Sequence, residues 1–209
     1  MQIYYYTNWK ENKGKMRMKK ETTTNDVTKQ TKIISAFPGT GKSYAIKEIK
    51  NKYPGIELLD SDSSSFSWIA VDDDTSIIKQ RVYSNNYLHI RQGHKERNPE
   101  FPNNYIQHIK ENIGKVDFIL VSSHQVVRDA LQENNIPYTL VYPDKKLIAE
   151  YVGRYYMRGS ETPFINTLIM NWDQWLLDCE SEKACVKCCL KSCEYISDII
   201  EKMIERGVK

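Results

Sequence analysis

Gly39-Thr40-Gly41-Lys42-Ser43 is a run whose residue types and spacing can hold an anion. The two glycines let the backbone turn tightly enough for successive N–H groups to converge, and a helix starting at Ser43 would add its positive end. Lys42 has the reach for the β- and γ-phosphates of a nucleotide, and the Ser43 hydroxyl is a Mg²⁺ ligand. The expected nucleotide-binding residues are therefore Pro38, Gly39, Thr40, Gly41, Lys42, Ser43 and Tyr44. A second pair of chemical groups, Asp60 and Asp62, closes an apolar run. In a strand the two share a face, so both could look toward a metal ion and an acceptor hydroxyl.

These groups need elements to position them. Ile33-Ile34-Ser35-Ala36 reads as a short buried strand and Ser43 to Lys52 as a helix, the strand–loop–helix order that a phosphate loop requires. Ala36 stands where the motif usually has its first glycine, the mildest change at a position outside the cradle itself. Tyr53-Pro54-Gly55 is a turn, and Ile56 to Asp62 a second strand ending in the two acids. Val116 to His124 is a third strand, Gln125 to Asn134 a helix and Tyr138 to Tyr142 a fourth strand. Helices follow from about Lys145 to Arg158 and from Thr162. Strands alternating with helices predict an α/β three-layer sandwich, its sheet mostly parallel with helices on both faces. Ligands of such sheets sit at the carboxyl ends of the strands, where Asp60, Asp62 and His124 fall.

The segment 63–115 is too long for a plain connection and predicts a lid or substrate-binding insertion. It carries Asp72-Asp73-Asp74, either a solvated turn or an extra metal site, and an aromatic and basic group with Arg91 as a substrate-binding candidate. His124 is a candidate substrate contact, and Arg128, one helical turn on, could recognise an anionic acceptor from the same face. Residues 1–31 sustain no period and read as a flexible leader or, alternatively, a basic arm touching nucleic acid or a partner. All five Cys fall between Cys179 and Cys193. Cys185-x-x-Cys188 has zinc-ligand spacing; the competing and preferred reading puts Cys185, Cys189, Cys193, Ile196, Ile200 and Met203 on one face of a helix within 179–209.

The 209 residues give one compact domain with length to spare, and 40% hydrophobic against 27% charged residues is ordinary for a globular chain. A net charge of +3 with no strong basic patch argues against a nucleic-acid partner. No stretch approaches the roughly 18 apolar residues of a membrane helix and no apolar signal core opens the chain, so a cytoplasmic location without membrane contact is expected. Oligomeric state is left open, a homodimer included.

Over roughly Lys32 to Asp178 the chain resembles the nucleoside monophosphate kinase-like P-loop kinases, most closely those of shikimate and gluconate kinase style. Gly-Thr-Gly-Lys-Ser, Asp60-Ser61-Asp62 and Arg154-x-x-x-Arg158 carry the resemblance, and some phage-encoded nucleotide kinases look similar in outline. It implies a kinase domain over 32–178 with a lid at 145–160. It further implies Lys42, Asp62, Arg154 and Arg158 as catalytic groups, Ser43 and Asp60 as the metal pair, and Asp62 as the acceptor-side base. ATP and Mg²⁺ are the implied cofactors, and a nucleoside monophosphate or similar small molecule the implied phosphoryl acceptor. Ser122, Ser123 and His124 stand where a third-strand acid would be expected, and no signature names the acceptor. The alternatives are an NTP hydrolase or nucleotide-dependent switch, and a nucleotide-binding module acting through a protein partner.

Overall fold

A computed structural model describes residues 29–70, 83–84, 87–88 and 95–207. Arg91, the acidic triplet and residues 1–28 lie outside the described residues.

Among the described residues the chain runs β1 (Lys32–Ala36), α1 (Lys42–Lys52), β2 (Leu58–Asp60), α2 (Ser64–Ser67) and β3 (Trp68–Ala70). Two short strands, β4 (Tyr83–Ser84) and β5 (Tyr87–Leu88), precede β6 (Lys95–Arg97). Then come α3 (Asn103–Asn112), β7 (Phe118–Ser122), α4 (Gln125–Glu133), β8 (Tyr138–Pro143) and α5 (Ile148–Met157). The chain closes with α6 (Thr162–Ser181), β9 (Val186–Leu190) and α7 (Ile196–Glu205).

Period-two alternation divides the apolar side chains of the main strands between two layers. Ile33, Ile119, Val121 and Leu140 face one core, with Tyr105 and Ile109 of α3, Val127 and Leu131 of α4, Tyr151 and Tyr155 of α5, and Leu168 and Trp172 of α6. Ile34, Phe118, Leu120 and Val141 face the other, with Ala45 and Ile49 of α1 and Ile196 and Ile200 of α7. Five parallel strands in the order β2-β7-β1-β8-β9 lie between these layers. This is the expected α/β sandwich. Helix α1 leaves β1 toward one face while α4 and α5 leave the strands beside it toward the other, opening a crevice at the carboxyl end of β1.

Ahead of β1, Lys29 pairs with Glu57 at 2.6 Å and Asp117 at 3.0 Å, and the Thr31 hydroxyl donates to the Val116 carbonyl, so residues 29–31 are tied to the sheet.

The carboxy-terminal reading needs correction. Residues 179–209 are not one Cys-lined helix: α6 continues through Cys179, and Val186–Leu190 is the fifth strand of the sheet, paired to β8. A spacing of four falls on one face of a helix, but it is also two strand periods, so Cys185 and Cys189 share a side in either element. Only the Ile196, Ile200 and Met203 part of the stripe is helical, in α7. A domain boundary at 178 would therefore cut the sheet. The zinc spacing fails on the same geometry, because Cys185 packs against the first core and Cys188 against the second. Burial also holds the thiols of Cys185, Cys188 and Cys189 above their ordinary range and pushes that of Cys179 up to about 11. Among the described residues no group of three or more His, Cys, Asp or Glu is placed to hold a metal ion.

Candidate active site

The loop between β1 and α1 is built from its backbone outward. Phe37 is buried and its N–H bonds the Val141 carbonyl at 2.9 Å, while the Thr40 hydroxyl folds back onto the Phe37 carbonyl at 2.8 Å. Thr40 therefore contributes to the loop through its backbone, its side chain being wholly buried. Gly39 and Gly41 have φ of 82° and 91°, the left-handed region. A Cβ on Gly39 would meet the Tyr155 hydroxyl at 2.9 Å, and one on Gly41 the Tyr195 ring at 3.0 Å. Ala36 is fully buried in the second core, so the missing first glycine is absorbed by packing.

Lys42 opens α1 and is half-buried, whereas Ser43 and Tyr44 are exposed on its first turn. The Ser43 hydroxyl donates to Asp60 Oδ2 at 3.1 Å, joining the loop to the end of β2. Asp60 Oδ1 and the Ser122 hydroxyl, at the ends of neighbouring β2 and β7, are buried without partners among the described residues. A hydroxyl, a carboxylate and orphaned oxygens close by suit an oxygen-seeking cation such as Mg²⁺. Desolvation pushes the Lys42 pKa down, opposed by Asp60 and Asp62 and reinforced by Arg158.

Asp62 lies just past β2, exposed, with Oδ1 accepting the Ser64 N–H at 2.9 Å. His124 holds the N-cap position of α4 without a side-chain cap bond, and its side chain is exposed. Desolvation, then the charges of Lys42, Arg97 and Arg128, hold its imidazole below the usual pKa against the pull of Asp62. The sheet edge thus brings Lys42, Ser43, Asp60, Asp62 and His124 together.

The arginines divide differently from expectation. Arg128 is 2% exposed, its guanidinium held by the Ser123 carbonyl, Gln125 and Glu182, which ties α4 to the end of α6. It cannot meet an acceptor without breaking those bonds. Arg154 is likewise engaged, with Nη1 on the Gly39 carbonyl at 3.1 Å and Nη2 on Glu150 and the Glu194 carbonyl. Arg158 is exposed, stacked over Tyr155 at 4.5 Å, and close enough to act on Lys42.

Three contributors escape a sequence reading. Arg97 on β6 lies over the Trp68 ring at 4.7 Å, and its charge reaches His124. Glu150 and Tyr195 flank the phosphate loop through Arg154. No motif marks them: Arg97 acts from the β3–β6 pair, Glu150 from α5, and Tyr195 meets the loop because β9 delivers the turn that carries it.

No protein-family model matches the chain, and no curated protein matches it. Among solved structures it is similar to a gluconokinase from Sinorhizobium meliloti 1021, at 14% identity and a TM-score of 0.44, over 85% of this chain and 90% of that one. It is also similar to an uncharacterized protein from Eubacterium ventriosum ATCC 27560, at 17% identity and a TM-score of 0.39, over 85% of this chain and 99% of that one.

Proposed function

We propose that the protein is a phosphotransferase that moves the γ-phosphoryl group of ATP to a hydroxyl of a small acceptor, with a nucleoside monophosphate among the acceptor candidates. The observation that carries this reading is the Ser43–Asp60 bond of 3.1 Å, which couples a phosphate loop to an acid-bearing strand end. Asp62 lies near enough to bias the charge of both Lys42 and His124.

In this reading the backbone of Gly39 to Lys42 cradles the phosphates, and Ser43 and Asp60 would hold Mg²⁺, which would supply neutralisation of the charge on the transferring phosphoryl group. Asp62 orients the acceptor hydroxyl and takes its proton as the acceptor oxygen bonds to the γ-phosphorus and the bond to the β-phosphate oxygen breaks, releasing ADP. Lys42 and the exposed Arg158 face the charge that develops, so the acceleration comes mainly from positioning and preorganised charge. His124, its imidazole held below the usual pKa, and Arg97 line the acceptor side.

The test is ADP release from Mg-ATP in the presence of nucleosides, nucleoside monophosphates and small hydroxy acids. Stimulation by one acceptor, with its phosphorylated product and loss of turnover in Lys42→Ala, is the expected result. ADP release that no acceptor raises above the water background replaces this reading with a hydrolase or switch.

A further inference from the structure

Arg154 sits on the helix from which a lid would be expected to reach toward phosphate, yet its donors point into the protein. Its side chain is 12% exposed. The guanidinium is sandwiched between the Tyr151 ring at 4.6 Å and the Tyr195 ring at 4.0 Å. One Nη bonds the Gly39 carbonyl at 3.1 Å; the other bonds the Glu194 carbonyl at 3.1 Å and Glu150 at 2.5 Å. Glu150 in turn accepts from the Ser192 hydroxyl at 2.8 Å and the Cys193 N–H at 3.2 Å. The same turn touches the loop twice more. The Ile196 N–H donates to the Thr40 carbonyl at 2.9 Å, and Tyr195 closes the space beside Gly41.

We infer that Arg154 is a positioning residue, which fixes the shape of the phosphate loop by clamping it to the turn between β9 and α7, and that Arg158 alone of the pair is available to phosphate. This rests on the nucleotide-binding reading above. A planar, five-donor group stacked on two rings does here what a lysine cannot. The loop carbonyls of Gly39 and Thr40 are both held by groups outside the loop and the Thr40 N–H by the Phe37 carbonyl, so the remaining N–H groups are fixed for an anion before one arrives. Glu150 is part of the clamp: desolvation pushes its pKa up, but bonds from Ser192, Cys193 and Arg154 outweigh it and hold the carboxylate below its ordinary range.

A positioning role and a γ-phosphate-contact role differ in what they do to two nucleotides. A group on the γ-phosphate favours ATP over ADP; a group that shapes the loop favours both equally. Calorimetric titration of the full chain with Mg-ADP and with Mg-ATP separates them, using wild type, Arg154→Met, Arg154→Lys and Arg158→Ala, with thermal unfolding checking each fold. We expect Arg154→Met to weaken both nucleotides by the same factor, about tenfold for a lost hydrogen-bonded charge. Arg154→Lys should rescue little, and Arg158→Ala should weaken ATP more than ADP. Tyr195→Ala, which removes one face of the sandwich without touching charge, should reproduce the equal loss and be less than additive with Arg154→Met.

Selective loss of ATP in Arg154→Met, with rescue by lysine, would overturn the inference and make Arg154 a phosphate ligand. Unchanged affinity for both nucleotides in a folded Arg154→Met would also overturn it. If Arg154→Met does not fold, Tyr195→Ala decides by the same comparison. Wild type that binds neither nucleotide removes the underlying reading, and the inference with it.

Discussion

A methyl group at Gly39 meets two penalties at once, a left-handed backbone and the Tyr155 hydroxyl at 2.9 Å. The backbone alone costs roughly 1–2 kcal/mol for an L-residue. That hydroxyl is fully buried with no partner among the described residues, as is the hydroxyl of Tyr151. Removing an unsatisfied buried donor is neutral or favourable, so Tyr155→Phe should raise stability by up to about 1 kcal/mol. Urea unfolding midpoints of Gly39→Ala, Tyr155→Phe and the double variant check this; the double variant should recover part of the Gly39→Ala loss. A marked fall in Tyr155→Phe would mean that the hydroxyl is bonded after all.

His124 gives a second prediction at the same scale. Its pKa in the folded chain is held below the ordinary 6.5, so the native state binds the proton less readily than the unfolded one. The contribution to stability is complete above pH 6.5 and is lost as pH falls through the lower native value. Wild type should lose stability relative to His124→Gln when pH is lowered from 7.5 toward 5, as followed by denaturant unfolding. Parallel curves for the two proteins would show that the imidazole is not desolvated in the crevice.

Among the elements, β9 has the largest consequences. It carries Leu190, fully buried against α7, and it delivers the turn that grips the phosphate loop. Leu190→Ala should cost about 2–5 kcal/mol, the range for a buried leucine whose neighbours collapse only partly. A chain ended at Asp178 should fail to show cooperative unfolding, because it lacks the fifth strand and the helix covering α1. Circular dichroism during urea titration tests both, and a cooperative transition from the shortened chain would restore a domain boundary there. The strands β1, β2, β7 and β8 and the helices α1, α4, α5 and α6 were legible because their signals do not compete, whereas α2, β3 and β6 carry no period of their own. Phe118–Ser122 is a five-residue apolar strand buried on both faces, and the stripe Val127, Ala130 and Leu131 fits only a helix. Val186–Leu190 was ambiguous, since a four-residue Cys spacing satisfies both periods and only pairing with β8 chooses.

For the molecule as a whole, the two halves of the crevice differ in how far sequence could reach them. Local chain order brings Lys42, Ser43 and the loop glycines together, and parallel pairing aligns the ends of β1, β7 and β2 so that Asp60 meets Ser43. The arginines combine local partners, Glu150 for Arg154 and Gln125 for Arg128, with distant contacts that no spacing records. Arg128 pairs with Glu182 and Arg154 with Glu194, partners 54 and 40 residues away. Their four-residue helical spacings therefore said nothing about which donors were free. The proposed function requires the crevice to have two separable sides, one for nucleotide and one for acceptor. The most direct measurement compares Asp62→Asn with wild type for Mg-ATP affinity by titration and for acceptor-dependent transfer by product formation. The account predicts transfer reduced about 10²–10⁴-fold, the usual contribution of a general base, with ATP affinity unchanged. Equal loss of binding and transfer, or transfer that survives the substitution, would contradict it.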